Sequence, residues 1–243
     1  MSLLIFEKKF TLTNGMFDEY YGIKPYAILD IFQRIAGDHA DLLGCGTEFC
    51  NKNNYAWIIV RQEVYIYNNP TPMETVLVKT FPHLPSRVEC KREYEISSLN
   101  GTIYAKGCAS WVLVDLSTFK MLKSSNIYPE GEFLESFLFK EKLLKPLNVL
   151  EEENYLCDYL VVKSDIDIYH HMNNAKYAEL LFDYCDLKAI EIDHFAINYI
   201  NQIKQNMKMK IYKKCIDNHT YITGECDGTL IFTSVVDKKN KEV

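Results

Sequence analysis

An internal repeat constrains the fold of this sequence more than any other feature. Asp18-x-Tyr20-x-Gly22 and Asp167-x-Tyr169-x-His171 align at a separation of 149 residues. Each sits between a short predicted strand and a predicted helix. In the first copy the strand is Lys9 to Thr13, and the helix opens at Pro25 and carries Ile28, Leu29, Ile31, Phe32, Ile35, Ala36, His39, Ala40 and Leu43. Pro suits a first turn and Gly44 a stop just past the end. The apolar positions cover more than one face, which predicts a helix wrapped by sheet rather than laid on it. Strand patterns follow at Tyr55 to Tyr67, Thr75 to Thr80, Val88 to Ile96 and Thr102 to Val114, the last two joined by an Asn100-Gly101 hairpin signal.

The second copy repeats this order: a strand at Tyr159 to Lys163, a helix from Asn174 to about Leu187, then strands at Phe195 to Ile203, Met207 to Lys213, His219 to Glu225 and Thr229 to Asp237, with an Asp227-Gly228 turn. The two turns pair at a separation of 127, because the second copy has a shorter path from helix to turn. The expected division is an N-terminal unit over 1–128, a linker with some helix over 129–153, and a C-terminal unit over 154–243. One strand, one buried helix and four or five antiparallel strands is an α+β layout in which a sheet curls around a helix. Two copies in one chain would pair their sheets side by side and cover exposed edges.

Composition narrows the function. The net charge is −6 and arginine occurs only at positions 34, 61, 87 and 92, a poor endowment for bidentate phosphate or guanine contacts, so nucleic acid is not an expected partner. No apolar run approaches the ~20 residues of a membrane span, and the segment before Glu7 lacks the basic start of a signal peptide. The eight cysteines form no C-x-x-C pair and no metal-ligand spacing. They read as small buried hydrophobes of a reducing compartment, which places the protein in the cytoplasm.

The stretch from Ser164 to Tyr177, Ser-Asp-Ile-Asp-Ile-Tyr-His-His-Met-Asn-Asn-Ala-Lys-Tyr, resembles the active-site segment of plant-type and bacterial acyl-ACP thioesterases, whose usual pattern is S-D-x-D-x-N-x-H-V-N-N-x-x-Y. Gln33 to Ala40 with Leu43-Gly44, Trp57 before a strand, and Ala109 to Leu113 are also similar to that family, so the likeness runs from about residue 5 to 235. The resemblance implies a tandem (double) hotdog fold. It also implies hydrolysis of the thioester between a fatty acyl chain and acyl carrier protein, a place in fatty acid biosynthesis, and no cofactor or metal.

It further implies the site. Asp167 and His171 lie four apart in the loop before the helix, where His171 can act as base or donor and Asp167 can fix its tautomer. A helix start at Asn173 and Asn174 offers free N–H groups and a positive dipole end to an oxyanion, worth about 3 kcal/mol per donor in acyl transfer. The first copy has Gly22 where the second has His171, so the acid–base machinery belongs to the second copy and the first helps enclose the acyl chain. Two positions depart from the family: Tyr169 stands in place of Asn, and Gln202 in place of a Glu expected in the strand after the catalytic helix. Gln202 can position a water but cannot take its proton. Tyr169 then orients the site or the substrate. Ile203 occupies the place a nucleophilic Cys would need.

Lys204, Lys208, Lys210, Lys213 and Lys214 form a candidate docking surface for an acidic carrier protein, although their alternation with Met207, Met209 and Ile211 is also that of any half-exposed strand. The alternatives are an acyl-CoA thioesterase with the same chemistry and a non-catalytic acyl-thioester binding protein. A tandem chain is already a pseudo-dimer, and a further homodimer remains compatible with it.

Overall fold

The structure, a computed structural model, describes residues 4–123, 127, 133, 136–139 and 142–240. The elements are β1 (Phe6–Thr11), α1 (Pro25–Leu42), α2 (Thr47–Asn53), β2 (Tyr55–Ile66), β3 (Thr75–Pro82), β4 (Glu89–Ser98), β5 (Ile103–Asp115), β6 (Lys120–Met121), β7 (Tyr155–Leu160), α3 (Asn174–Tyr184), β8 (Ile192–Tyr199), β9 (Lys208–Ile216), β10 (His219–Cys226) and β11 (Thr229–Lys238). The strands form one antiparallel sheet in the order β1-β3-β4-β5-β2-β8-β11-β10-β9-β7, with β6 beside β5. The second five follow the first five in mirrored order. The join is the β2–β8 pair, with Gln62 opposite Ile197 and Glu63 opposite Ala196.

Period-2 alternation decides which face each strand residue serves. On β2, Val64 and Ile66 enter a core that also holds Ile28, Phe32 and Ile35 of α1 and Tyr177, Leu180 and Leu181 of α3. As expected of a wrapped helix, α1 buries Ala27, Ile28, Leu29, Ile31, Phe32, Ile35, Ala36 and His39. Each large side chain contributes about 1.5–3 kcal/mol. Phe32 stacks on Tyr94 of β4 with centroids 4.4 Å apart. Gly107 of β5 makes room for it, since a Cβ there would lie 2.5 Å from Phe32 Cε2.

The opposite face of the sheet carries the connection between the halves. Glu63 and Glu93 are fully buried. Glu93 accepts from the Leu138 and Phe139 N–H groups at 2.9 and 2.7 Å, and Glu63 from the Leu144 N–H at 2.7 Å. The Val149 N–H donates to Thr223 Oγ1 of β10 at 3.3 Å. His194 of β8 lies between Glu63 (3.0 Å) and Asp237 (2.7 Å). Of the helix expected in the linker, the described residues hold one 3-10 turn, Glu152–Asn154, and the rest of that expectation falls in part on residues outside the described ones. The N–H groups of Leu138, Phe139, Leu144 and Val149 bond to side chains of the sheet, whereas Asn154 N–H bonds to the Glu151 carbonyl.

Two predicted strands also shift. β7 ends at Leu160 because Asp165 Oδ2 accepts the Val162 N–H at 2.8 Å and turns the chain. β8 ends at Tyr199, so Gln202 lies in the loop beyond the strand rather than within it. No helix among the described residues is long and apolar enough to cross a membrane.

Candidate active site

The 149-residue offset is structural as well as sequential. Asp18 N–H donates to the Gly22 carbonyl (2.9 Å) as Asp167 N–H does to the His171 carbonyl (3.1 Å). Bridges Phe17–Ile23 and Ile166–Met172 close the two loops. Tyr21 and His170 both take positive φ, 62° and 65°. The helices start at Pro25 and Asn174, the same separation apart.

The two loops meet different surroundings. In the first, Asp18 Oδ1 accepts from Tyr20 and Gly22 N–H (3.0 and 2.8 Å), and Oδ2 accepts from Ala189 N–H (2.8 Å) in the turn after α3. Gly22 lies so close to that turn that a Cβ would be 2.4 Å from the Ile190 nitrogen. Lys188 Nζ sits 3.8 Å over the Tyr20 ring. The first copy is sealed by the second half of the chain.

In the second loop, Asp167 Oδ1 accepts from Tyr169 N–H at 2.9 Å and lies 3.9 Å from His171 Nδ1, so the two expected partners face each other without a formed hydrogen bond. His171 Nδ1 is also 3.5 Å from the Met172 carbonyl. The Tyr169 ring stacks parallel to the His171 ring at 6.2 Å. Burial pushes the Tyr169 hydroxyl pKa up, with Cys50 of α2 and Asp167 adding to it.

At the start of α3, Asn173 and Asn174 divide the work. Asn173 is the N-cap: its Oδ1 accepts from Ala175 N–H (2.8 Å), and its own N–H goes to the Asp165 carbonyl (2.8 Å). The Asn174 N–H has no acceptor among the described residues. The positive end of α3 therefore presents one open donor beside His171.

Gln202 is exposed, one residue before Ile203, whose carbonyl accepts from Met172 N–H at 2.9 Å. The chain thus brings Gln202 alongside the loop, but its side chain makes no hydrogen bond to Asp167 or His171 among the described residues. Ile203 is fully buried.

Three residues that the sequence reading did not single out lie under the helix start. Tyr199 Oη is 2.8 Å from Gln62 Oε1 and 3.1 Å from the Asn174 carbonyl. The Tyr177 ring meets that of Tyr199 edge-on at 5.3 Å. Burial raises the Tyr177 hydroxyl pKa, and the Asp167 charge raises it further. Tyr177 closes the recognised motif, whereas Gln62 and Tyr199, 137 residues apart, meet only through the β2–β8 join.

The lysine stretch divides between two faces and two partners. Lys208 pairs with Asp158 at 3.4 Å, and Lys213 turns to Asp186. Lys204 is exposed in the turn next to Ile203. No cluster of three or more His, Cys, Asp or Glu among the described residues is arranged to hold a metal ion.

Comparison with known proteins identifies the family and the fold. The acyl-ACP thioesterase N-terminal domain matches residues 4–128 and the C-terminal domain residues 150–241. The palmitoyl-acyl carrier protein thioesterase of Gossypium hirsutum is 26% identical over 206 residues, covering 77% of this chain and 49% of that protein. The corresponding Arabidopsis thaliana protein is 22% identical over 246 residues, covering 92% and 56%. The chain thus spans about half the length of these curated relatives. Solved structures of an acyl-ACP thioesterase from Bacteroides thetaiotaomicron (TM-score 0.83, 20% identity, 97% of this chain and 98% of that one) and of the 12:0-ACP thioesterase from Umbellularia californica (TM-score 0.83, 17% identity, 98% of each) share the fold, a double hotdog. The chain belongs to the acyl-ACP thioesterase family.

Proposed function

We propose that this chain hydrolyses the thioester between a fatty acyl chain and acyl carrier protein, at one site in its C-terminal unit (154–243), with 1–128 as the N-terminal unit and 129–153 as the link. The observation that carries the reading is the asymmetry of the repeat. Asp18 is tied by three backbone N–H groups and sealed under Ala189 and Ile190, while Asp167 faces His171 beside an open helix N-terminus.

In this reading His171 takes a proton from water, whose oxygen attacks the acyl carbon. Asp167, 3.9 Å from Nδ1, orients the imidazole. The negative charge that develops on the carbonyl oxygen is met by the Asn174 N–H, with Asn173 fixing the first turn. The carbon–sulfur bond then breaks, and His171 returns the proton to the departing thiolate. The products are free fatty acid and the carrier thiol. Gln202 positions the water and Tyr169 packs the imidazole.

The exposed Lys204 meets the carrier's acidic surface, since Lys208 and Lys213 are engaged by Asp158 and Asp186. All eight cysteines are free, which supports the cytoplasm as the compartment. Every proposed site residue comes from one chain, so a homodimer would add nothing to the site. A non-catalytic acyl-thioester binding protein is the second reading, favoured by an exposed Gln202 in the place of a Glu.

His171→Ala tests the proposal. Single-turnover hydrolysis should fall by about 10²–10⁴-fold, the range for a positioned acid–base group, with an unchanged melting temperature. A folded variant with full rate would remove His171 from the mechanism.

A further inference from the structure

Tyr199, the last residue of β8, links the N-terminal half to the first turn of α3. Its Oη is 2.8 Å from Oε1 of the Gln62 carboxamide on β2 and 3.1 Å from the Asn174 carbonyl. One hydroxyl proton cannot serve both oxygens. With Oε1 in that place, the buried Gln62 Nε2 also meets no acceptor among the described residues. Half a turn of the carboxamide about its last bond removes both conflicts, since its two ends are alike in size. Nε2–H then donates to Tyr199 Oη, and the Tyr199 O–H donates to the Asn174 carbonyl. Burial pushes the Tyr199 hydroxyl pKa well up, which keeps that proton on the oxygen. At the neighbouring pair of the join, Arg61 Nε–H donates to Asn198 Oδ1 at 3.2 Å and fastens the two strands.

The carbonyl of Asn174 and the N–H of Ala175 belong to one peptide unit, which is rigid and planar. Asn173 Oδ1 accepts that N–H at 2.8 Å. The unit is thus gripped at both ends, locally by the cap and from across the sheet by Tyr199. The Asn174 N–H lies on the adjoining unit and has no acceptor among the described residues. Clamping one unit limits the swing of the next, because only the two dihedrals of Asn174 lie between them.

The repeat shows that packing does not require a polar pair here. The strands of the two copies correspond through their hairpin partners, which lie 127 apart as the turns do: Ala105 and Phe232, Ala109 and Val236. Ile66 therefore holds in the first copy the place of Tyr199, and Phe195 holds in the second the place of Gln62. Both are buried. The hydrogen-bonded pair stands on the side of the join that faces the helix start next to His171, and hydrocarbon fills the same two places on the other side.

We propose that Gln62 and Tyr199 are positioning residues of the C-terminal site, a two-step hydrogen-bond relay by which the N-terminal half fixes the Asn174 N–H where charge develops on the thioester oxygen. This rests on the reading of the α3 start as the thioester site.

The test is a double-mutant cycle of Tyr199→Phe and Gln62→Met, read by steady-state kinetics on acyl-ACP and by the backbone amide signals of isotope-labelled protein. Tyr199→Phe should lower kcat by about 10-fold, the weight of one hydrogen bond. KM should stay within about 2-fold, because the donor matters most once charge has developed on the oxygen. Gln62→Met should lower kcat by about 3-fold alone and add nothing in the Tyr199→Phe background, since it acts only through that hydroxyl. The Asn174 amide signal should move in each variant, and that of Gly37 in α1 should not.

An unchanged kcat in Tyr199→Phe, losses that multiply in the double variant, or a KM that rises while kcat holds would overturn the proposal. So would an Asn174 signal that stays in place. Should Tyr199→Phe not fold, an unchanged kcat and an unmoved Asn174 signal in Gln62→Met overturn it equally. If the wild type hydrolyses no acyl thioester, the thioesterase reading falls, and the Asn174 signal still decides whether the relay sets that donor.

Discussion

Gly22 and His171 hold equivalent places in the two loops, and what surrounds them separates a structural bracket from the proposed reactive site. At Gly22 the missing side chain lets the Ala189–Ile190 turn close down, and Asp18 holds that turn through its N–H. Gly22→Ala should therefore destabilise the fold by about 1–3 kcal/mol, the usual cost of overpacking. The shift is read from the denaturant midpoint, and an unchanged midpoint would contradict the seal. Asp167 and His171 were legible because the local pattern that places them is a short loop closed by its own backbone bonds. Gln62 and Tyr199 were not, since nothing local distinguishes a glutamine on a half-buried strand from any other. Their meeting depends on which strands join at the centre of the sheet. Gln202 was misplaced for a simpler reason: the apolar run that suggested a strand to Ile203 ends at Tyr199 and turns into the rim of the site.

The segment between the halves shows what element-level patterns leave out. Its charged and Leu/Phe-containing composition suggested helix, but buried carboxylates on the sheet capture its N–H groups, and that competition is invisible in the segment itself. Beneath it His194 is held by Glu63 of β2 and Asp237 of β11, with the Tyr65 ring 4.3 Å away and His219 of β10 on the other oxygen of Asp237. Burial alone would push the His194 pKa down, yet its hydrogen bonds to Asp237 and Glu63 raise it above the ordinary 6.5.

Burial would likewise raise the Asp237 pKa, but His194 and His219 bring it below 3.8. The His194 contribution is thus complete below pH 6.5 and fades as pH rises through its raised folded value. That of Asp237 is complete above pH 3.8 and fades as pH falls through its lowered folded value. Stability measured against pH should fall on the alkaline side through the His194 titration, and His194→Gln should flatten that limb. An alkaline limb identical in the variant would show that the cluster does not act this way.

At the scale of the whole molecule, the β2–β8 pair makes one sheet from two copies and decides that the copies cannot be alike. The turn after α3 reaches the first loop and fills it, whereas the connection after α1 is longer and contains α2. The repeat makes this architecture readable from the sequence, since two wrapped helices with matching strands have few ways to cover their edges. The asymmetry was readable only in outline, from Gly22 against His171. The charge pattern was less telling, because the lysine run divides between two faces once β9 is formed.

The most direct test of the whole account is single-turnover hydrolysis of acyl-ACP against the matching acyl-CoA over a series of chain lengths, with Gln202→Glu in parallel. The account predicts rapid release of fatty acid from the carrier protein by the wild type, with acyl-CoA turned over more slowly. A wild type that binds acyl-ACP but releases nothing, while Gln202→Glu gains activity, would contradict it and leave acyl-thioester binding as the function.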